Sequence, residues 1–181
     1  MQGIVECQLK CNVPVFIFSV YLPQRHCVND QFTDVLDTLF EFISQAQQLG
    51  DVVIIGDMNS HFGSLFPSPR GWGNYTDNAF SLLNVCIEKS LVIADMKQHA
   101  VGPNISFNSY TQRACTSYVD HCIVSSTLEK CIVKCGLIPE HASNESDHLP
   151  VFIFIDLSNV SHVYPKCDEN APRLAWHKLS K

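Results

Sequence analysis

The feature that most restricts how this chain can fold is the run Val52-Val53-Ile54-Ile55, followed at once by Gly56-Asp57-Met58-Asn59. Consecutive β-branched apolar residues leave no polar side for solvent. The run therefore reads as a short strand buried on both faces, of the kind found inside an α/β sheet. The Gly-Asp pair then releases the chain into a polar loop. A carboxylate and an amide are thereby placed just past the carboxyl end of a buried strand, where open α/β sheets carry their ligand chemistry. An Asx turn closing the strand is the competing reading, since Asp and Asn are ordinary turn residues.

The flanking sequence supplies the layers such a strand needs. Ile4 to Cys11 and Val15 to Tyr21, rich in β-branched and aromatic residues and separated by Asn12-Val13-Pro14, predict two antiparallel strands. Phe32, Val35, Leu36, Leu39, Phe42, Ile43 and Ala46 recur with helical period, with Asn29 or Asp30 able to cap the helix and Gly50 to end it. A Pro- and Gly-containing loop from Phe62 to Tyr75 holds Arg70 and Trp72. It either frames a cleft, with Arg70 meeting a phosphate, or is a plain surface connection. Asp77 can cap a second helix through Ala79, Leu82, Leu83, Cys86 and Ile87, and Leu91 to Ala94 returns as a strand.

Ile105 to Tyr110 and Ser117 to Ser125 read as further strands, the latter with Tyr118, Asp120, Cys122 and Val124 on one face and Val119, His121 and Ile123 on the other. An aspartate amid apolar residues needs a partner, because an unpaired buried carboxylate is costly; a histidine or a metal would satisfy Asp120. Ile132 to Ile138 gives another strand. The last, Val151 to Ile155, is preceded by Ser146-Asp147-His148-Leu149-Pro150, with the proline tolerated at a strand's beginning.

Composition narrows the class. A chain of 181 residues, 46% hydrophobic and 17% charged, has room for one sizeable core and the balance of a globular protein. Its longest apolar runs, Val13 to Val20 and Val151 to Ile155, fall short of a bilayer crossing, and Met-Gln-Gly-Ile-Val-Glu lacks the form of a secretory signal, so an intracellular protein without membrane partners is expected. The nine cysteines are odd in number and lack the two-residue knuckle of structural zinc sites, so they read as small buried thiols. Acidic residues outnumber basic ones, 18 to 12, for a net charge of −6. This argues against self-sufficient nucleic-acid binding by a basic surface, and leaves room for a cleft whose carboxylates are neutralised by a divalent cation.

Gly-Asp-x-Asn after one buried strand, Ser-x-x-Asp-His in a second and Ser-Asp-His-x-Pro-Val before a last one form an ordered set. With them the chain resembles the endonuclease/exonuclease/phosphatase superfamily, most nearly the endonuclease domains of non-LTR, LINE-type retrotransposons, over about Val5 to Ile155. The resemblance implies an α/β fold, the C-terminal portion of a four-layer α/β sandwich of two packed mixed sheets flanked by helices. It implies metal-dependent phosphodiester hydrolysis, with DNA nicking as the activity and Mg²⁺ or Mn²⁺ as cofactor. An inactive truncated or decayed copy, or a member acting on another phosphoester, are the alternatives.

Position by position, Asp57 matches the aspartate that orients or deprotonates the attacking water, and Asn59 the phosphate-contacting asparagine. Tyr21 matches the tyrosine of the family's Tyr-x-Pro strand end. Asp120 matches the aspartate that polarises the catalytic histidine, His148 that histidine, and Asp147 the carboxylate near or on the metal. Ser106 stands about where the retrotransposon enzymes have a threonine beside the cleft. The chemistry suits these types: a divalent cation neutralises nonbridging oxygens and aids the leaving alkoxide, while an aspartate acts as base within reach of the water.

The chain departs from the family at its start. The superfamily's opening segment carries an asparagine and the principal metal-binding glutamate well before the Tyr-x-Pro strand, and Glu6 is too close to Tyr21 to be that glutamate. The reading is thus of residues 1–156 as a domain lacking its opening segment. Residues 157–181 form a polar tail, in which Pro172 to Leu179 resembles the joint leading into a reverse transcriptase. A covalently linked reverse transcriptase, a DNA substrate and action in the nucleus complete the expectation.

Overall fold

The computed structural model describes the backbone of residues 4–9 and the full residues 14–24, 31–109, 115–139 and 144–158. Strand β1 (Ile4–Leu9) pairs antiparallel with β2 (Val15–Tyr21), helix α1 (Gln31–Gln47) crosses over, and β3 (Asp51–Asp57) returns parallel to β2. Helix α2 (Asp77–Glu88) and β4 (Leu91–Ile93) follow, then the hairpin β5 (Phe107–Ser109) and β6 (Cys115–Ser117), then β7 (Asp120–Ser125). Strands β8 (Ile132–Leu137) and β9 (Val151–Ile155) form a separate antiparallel pair. The main sheet is mixed, in the order β1-β2-β3-β7-β4.

The β-branched run occupies the middle of that sheet, with Val52, Val53 and Ile54 all buried. Alternation along the strands divides the core. Phe16, Phe18, Val20, Val52, Ile54 and Ile123 pack with Phe32, Leu36, Leu39, Ile43, Leu82 and Cys86 of the two helices. Val15, Val53, Cys122 and Val124 face the other way, against Leu128, Cys135 and the partly buried Ile153 and Ile155. Helices, main sheet and β8–β9 pair therefore stack as three layers among the described residues, within the α/β sandwich expected. No helix among them is long and apolar enough to cross a membrane.

Gly56 explains why β3 carries its aspartate inside the sheet and not beyond it. Its φ is +141°, and a Cβ there would lie 2.1 Å from the Val20 carbonyl oxygen. Glycine lets the strand stay paired on both sides through Asp57, opposite Tyr21 on β2 and Asp120 on β7.

Several sequence expectations are corrected. Within the described residues β1 covers Ile4–Leu9, while Cys11, Asn29, Asp30, Tyr110 and everything after Ser158 lie outside them. The strand read as Ser117 to Ser125 is two. Tyr118 and Val119 leave the ladder because the Val119 carbonyl accepts from Met58 N–H (2.9 Å) and its N–H donates to Ser106 Oγ (2.8 Å). Tyr118 consequently packs with Ile123 on the helix side, not with Cys122 and Val124. Thr76 caps α2, its Oγ1 accepting from Ala79 N–H, so Asp77 is the first helical residue, and Ile87 is 69% exposed. Arg70 is buried: its guanidinium donates to the Gly102 and Ala100 carbonyls (3.2 and 3.5 Å) and lies 5.5 Å from the Tyr118 ring centroid. It fastens the loop it sits on and is not presented to a ligand.

Candidate active site

Asp57 and Asp120 face each other across the antiparallel β3–β7 pair, at the last residue of one strand and the first of the other. Like charges directly opposite repel, so the pair needs a neighbour that answers both. His148 is that neighbour, delivered by the segment leading into β9. Its N–H donates to Ser146 Oγ (3.1 Å), its carbonyl accepts from Asn144 Nδ2 (3.0 Å), and its ring lies 4.9 Å from that of Phe107. From there Nδ1 donates to Asp120 Oδ2 at 2.9 Å, while Nε2 lies 3.9 Å from Asp57 Oδ2. Ligand atoms of Asp57, Asp120 and His148 all lie within 4.8 Å of one another.

Each member is held from beneath. Ser106, buried, accepts at Oγ from the N–H groups of Val119 (2.8 Å) and Asp120 (3.1 Å), fixing the start of β7. Asn59 adopts φ 45°, a left-handed conformation that asparagine tolerates. Its N–H donates to Asp57 Oδ1 (2.8 Å), and its side-chain amide donates to the Leu22 carbonyl (2.7 Å) and to Asp57 Oδ2 (3.2 Å). Both amide hydrogens are thus engaged, and Asn59 clamps Asp57 to the end of β2. This is also the Asx turn anticipated as the alternative for this stretch; the turn and the cluster are one structure.

Burial pushes the Asp57 carboxyl up to about 6, and the charge of Asp120 adds to this against the opposing Asn59 N–H and His148. The hydrogen bond that His148 donates to Asp120 leads the causes that raise His148, with burial opposing. A carboxyl near the working range beside a histidine that favours its charged form is an acid-base arrangement. Two hard carboxylates facing each other also suit a divalent cation that retains most of its water. Asp57 and Asp120 are the residues that would hold it.

Tyr21 is paired in register with Asp57 and is 44% exposed. Asp147 is exposed and lies outside the cluster; its carbonyl accepts from Asn108 N–H at 2.9 Å, and its charge helps to raise His148.

A supporting pair escaped the sequence reading. Fully buried His121 accepts no solvent: Nε2 donates to the Ser60 carbonyl (2.8 Å), and Nδ1 meets Asp95 Oδ2 (2.8 Å), whose Oδ1 accepts from Cys122 N–H (2.6 Å). This ties the loop after Asp57 to the end of β4. The signal lay in Asp95 closing the apolar Leu91 to Ala94 run, as Asp57 closes Val52 to Ile55.

Residues 15–152 match the model of the endonuclease-reverse transcriptase family of endonuclease/exonuclease/phosphatase proteins. No curated protein sequence matches. Among solved structures, the endonuclease domain of TRAS1, a telomere-specific non-LTR retrotransposon, superposes with TM-score 0.64 at 14% identity, covering 86% of this chain and 64% of that one. The 3' phosphatase NExo from Neisseria, bound to product DNA hairpin, gives 0.64 at 17% identity over 84% of this chain and 64% of that one. An AP endonuclease from Archaeoglobus fulgidus gives 0.60 at 20% identity over 79% and 62%. The chain thus spans less than two thirds of the length of these structures, and the likeness at such identities is one of fold. With three quarters of the sequence inside the family match and the Asp57–Asp120–His148 cluster at the strand ends, the chain belongs to the endonuclease-reverse transcriptase family of the endonuclease/exonuclease/phosphatase superfamily.

Proposed function

We propose that the chain hydrolyses phosphodiester bonds in DNA, nicking one strand, as the endonuclease part of a retrotransposon protein that also carries a reverse transcriptase and acts in the nucleus. The observation that carries this is the convergence of Asp57, Asp120 and His148 within 4.8 Å at the ends of β3 and β7. The family match to endonuclease-reverse transcriptase proteins and the fold shared with a retrotransposon endonuclease support the choice of DNA.

In this reading Asp57 takes the proton of the attacking water. Its raised pKa makes it a better base than an ordinary carboxylate while leaving it ionised at neutral pH. As the water oxygen bonds to phosphorus and the ester oxygen departs, His148 offers Nε2–H to the charge that builds on the phosphoryl oxygens, and Asp120 keeps the ring oriented and charged. Asn59 positions Asp57, and a phosphate contact from its amide requires exchange of one existing bond. Tyr21 is proposed to meet the substrate from the adjacent strand end, and Asp147 to add a carboxylate at the rim. Mg²⁺ or Mn²⁺ held by Asp57 and Asp120 would supply Lewis acidity to the phosphoryl group and the leaving oxygen.

The test is a supercoiled-plasmid nicking assay. Nicking in Mg²⁺ that ceases in EDTA and falls at least roughly a hundredfold in Asp57→Asn and His148→Ala, both still folded, is the expected result. Nicking that persists in EDTA, or survives either substitution, refutes the assignment.

A further inference from the structure

The cleft of about 560 Å³ that contains His148 and Asn59 is also lined by Tyr75, Thr76 and Asn78, at the entry to α2. Tyr75 brings an exposed aromatic ring to that wall, and Phe80, in the first turn of α2 and just outside the cleft lining, stands beside it. Tyr75 is 46% and Phe80 50% exposed, with ring centroids 6.3 Å apart and planes tilted by 33°. The backbone that presents them is pinned to the loop after Asp57. Thr76 N–H donates to the His61 carbonyl (2.9 Å), His61 N–H to Thr76 Oγ1 (3.1 Å), and Asn78 Nδ2 to the Asn59 carbonyl (3.2 Å). The aromatic pair is therefore held at a fixed offset from the acid-base cluster, with little ordering left to do on binding.

The chemistry of the wall selects the occupant. Among the described residues lining this cleft there is no lysine or arginine, and Asp77 is one of them. That is a poor surface for a second phosphate. A flat, neutral ring suits exposed aromatic faces, which stack on any base because every base has a π-face. We infer that Tyr75 and Phe80 form a stacking platform for an unpaired nucleobase of the DNA strand whose phosphodiester lies at His148. The inference rests on the proposed action on DNA.

Short single-stranded oligodeoxynucleotides carrying one 2-aminopurine at successive positions test it on the whole chain, since 2-aminopurine fluorescence is quenched on stacking. One position should be quenched by the wild-type protein. Tyr75→Ala with Phe80→Ala should abolish that quenching and weaken binding about tenfold, equivalent to about 1.4 kcal/mol and within the range for base–aromatic stacking. Tyr75→Phe, which keeps the ring, should retain both. The exposure of both side chains keeps these variants folded, which an unchanged thermal midpoint verifies. Quenching that persists in the double variant, or a wild-type protein that binds and nicks DNA with no quenching at any position, overturns the platform alone. A wild-type protein that neither binds nor nicks DNA overturns the reading beneath it as well.

Discussion

Asp57 offers a sharp test because its stability effect and its catalytic effect should have opposite signs. Burial raises its carboxyl from 3.8 to about 6 in the folded protein. Between those values the native state binds more protons than the unfolded chain, so Asp57 makes the wild type lose stability as pH rises, and above about 6 the full penalty is present. The difference of 6 − 3.8 = 2.2 corresponds to about 3 kcal/mol at 1.36 kcal/mol per unit. Asp57→Asn removes the charge and keeps an oxygen for the Asn59 N–H, but its amide cannot accept the 3.2 Å bond from Asn59 Nδ2. That loss costs about 1 kcal/mol. A net gain of about 2 kcal/mol at pH near 8 follows, most of it gone by about pH 4, where the wild-type carboxyl is protonated in the folded state and the pH has come close to its unfolded value of 3.8. Urea unfolding followed by circular dichroism in EDTA measures it. Asp57→Asn no more stable than wild type at the higher pH, or an equal gain at both, would refute the argument that burial governs this carboxyl.

Other consequences can be checked alongside. The nicking rate should fall toward acid pH, where Asp57 takes up its proton, and fall again on the alkaline side above the ordinary histidine value of 6.5, where His148 loses its own; a profile flat toward acid pH would exclude Asp57 as the base. Ser106→Ala leaves the buried N–H groups of Val119 and Asp120 without their acceptor and should cost about 1–3 kcal/mol in chemical denaturation, with kcat lowered more than KM is changed. Arg70→Met keeps most of the side-chain volume but frees the Gly102 carbonyl, and should lower stability by about 1–3 kcal/mol; a fall in DNA affinity without any loss of stability would restore Arg70 as a ligand group.

The sequence carries those parts of the fold that obey a local period. The core-facing residues of α1 are the ones its helical spacing picks out, and β2, β3, β8 and β9 lie where β-branched and aromatic runs place them. What it hides is set by partners distant in the chain. Nothing near Tyr118 announces that Met58 and Ser106 will draw Val119 out of its strand. Arg70 looks like a loop cation until the carbonyls of Ala100 and Gly102 are brought to it. The site was legible as a set of motifs because Asp57, Asp120 and His148 each sit beside an apolar strand. The division of labour within it was not: that Asn59 spends its amide on Leu22 and Asp57 depends on a bend only the folded loop has.

The arrangement also explains why this chemistry is bound to this fold. Asp57 and Asp120 come from neighbouring strands of the main sheet, but His148 comes from the segment that opens β9, in the separate β8–β9 layer. The 2.9 Å bond between His148 and Asp120 therefore joins β7 to the segment entering β9, which is itself held against β5 by Asn108 N–H on the Asp147 carbonyl (2.9 Å) and Leu149 N–H on the Ser106 carbonyl (2.8 Å), while Cys122 and Val124 pack with Cys135 and Ile153 between the same two layers. Close-packed interiors transmit changes of a methylene or less. The small thiol side chains of Cys122 and Cys135, each fully buried, sit where a larger residue would part the layers. Overpacking there, as in Cys135→Phe, should cost about 1–3 kcal/mol in urea unfolding, and a nicking rate that falls while the chain stays folded is the expected sign that the fit of the two layers reaches the His148–Asp120 bond.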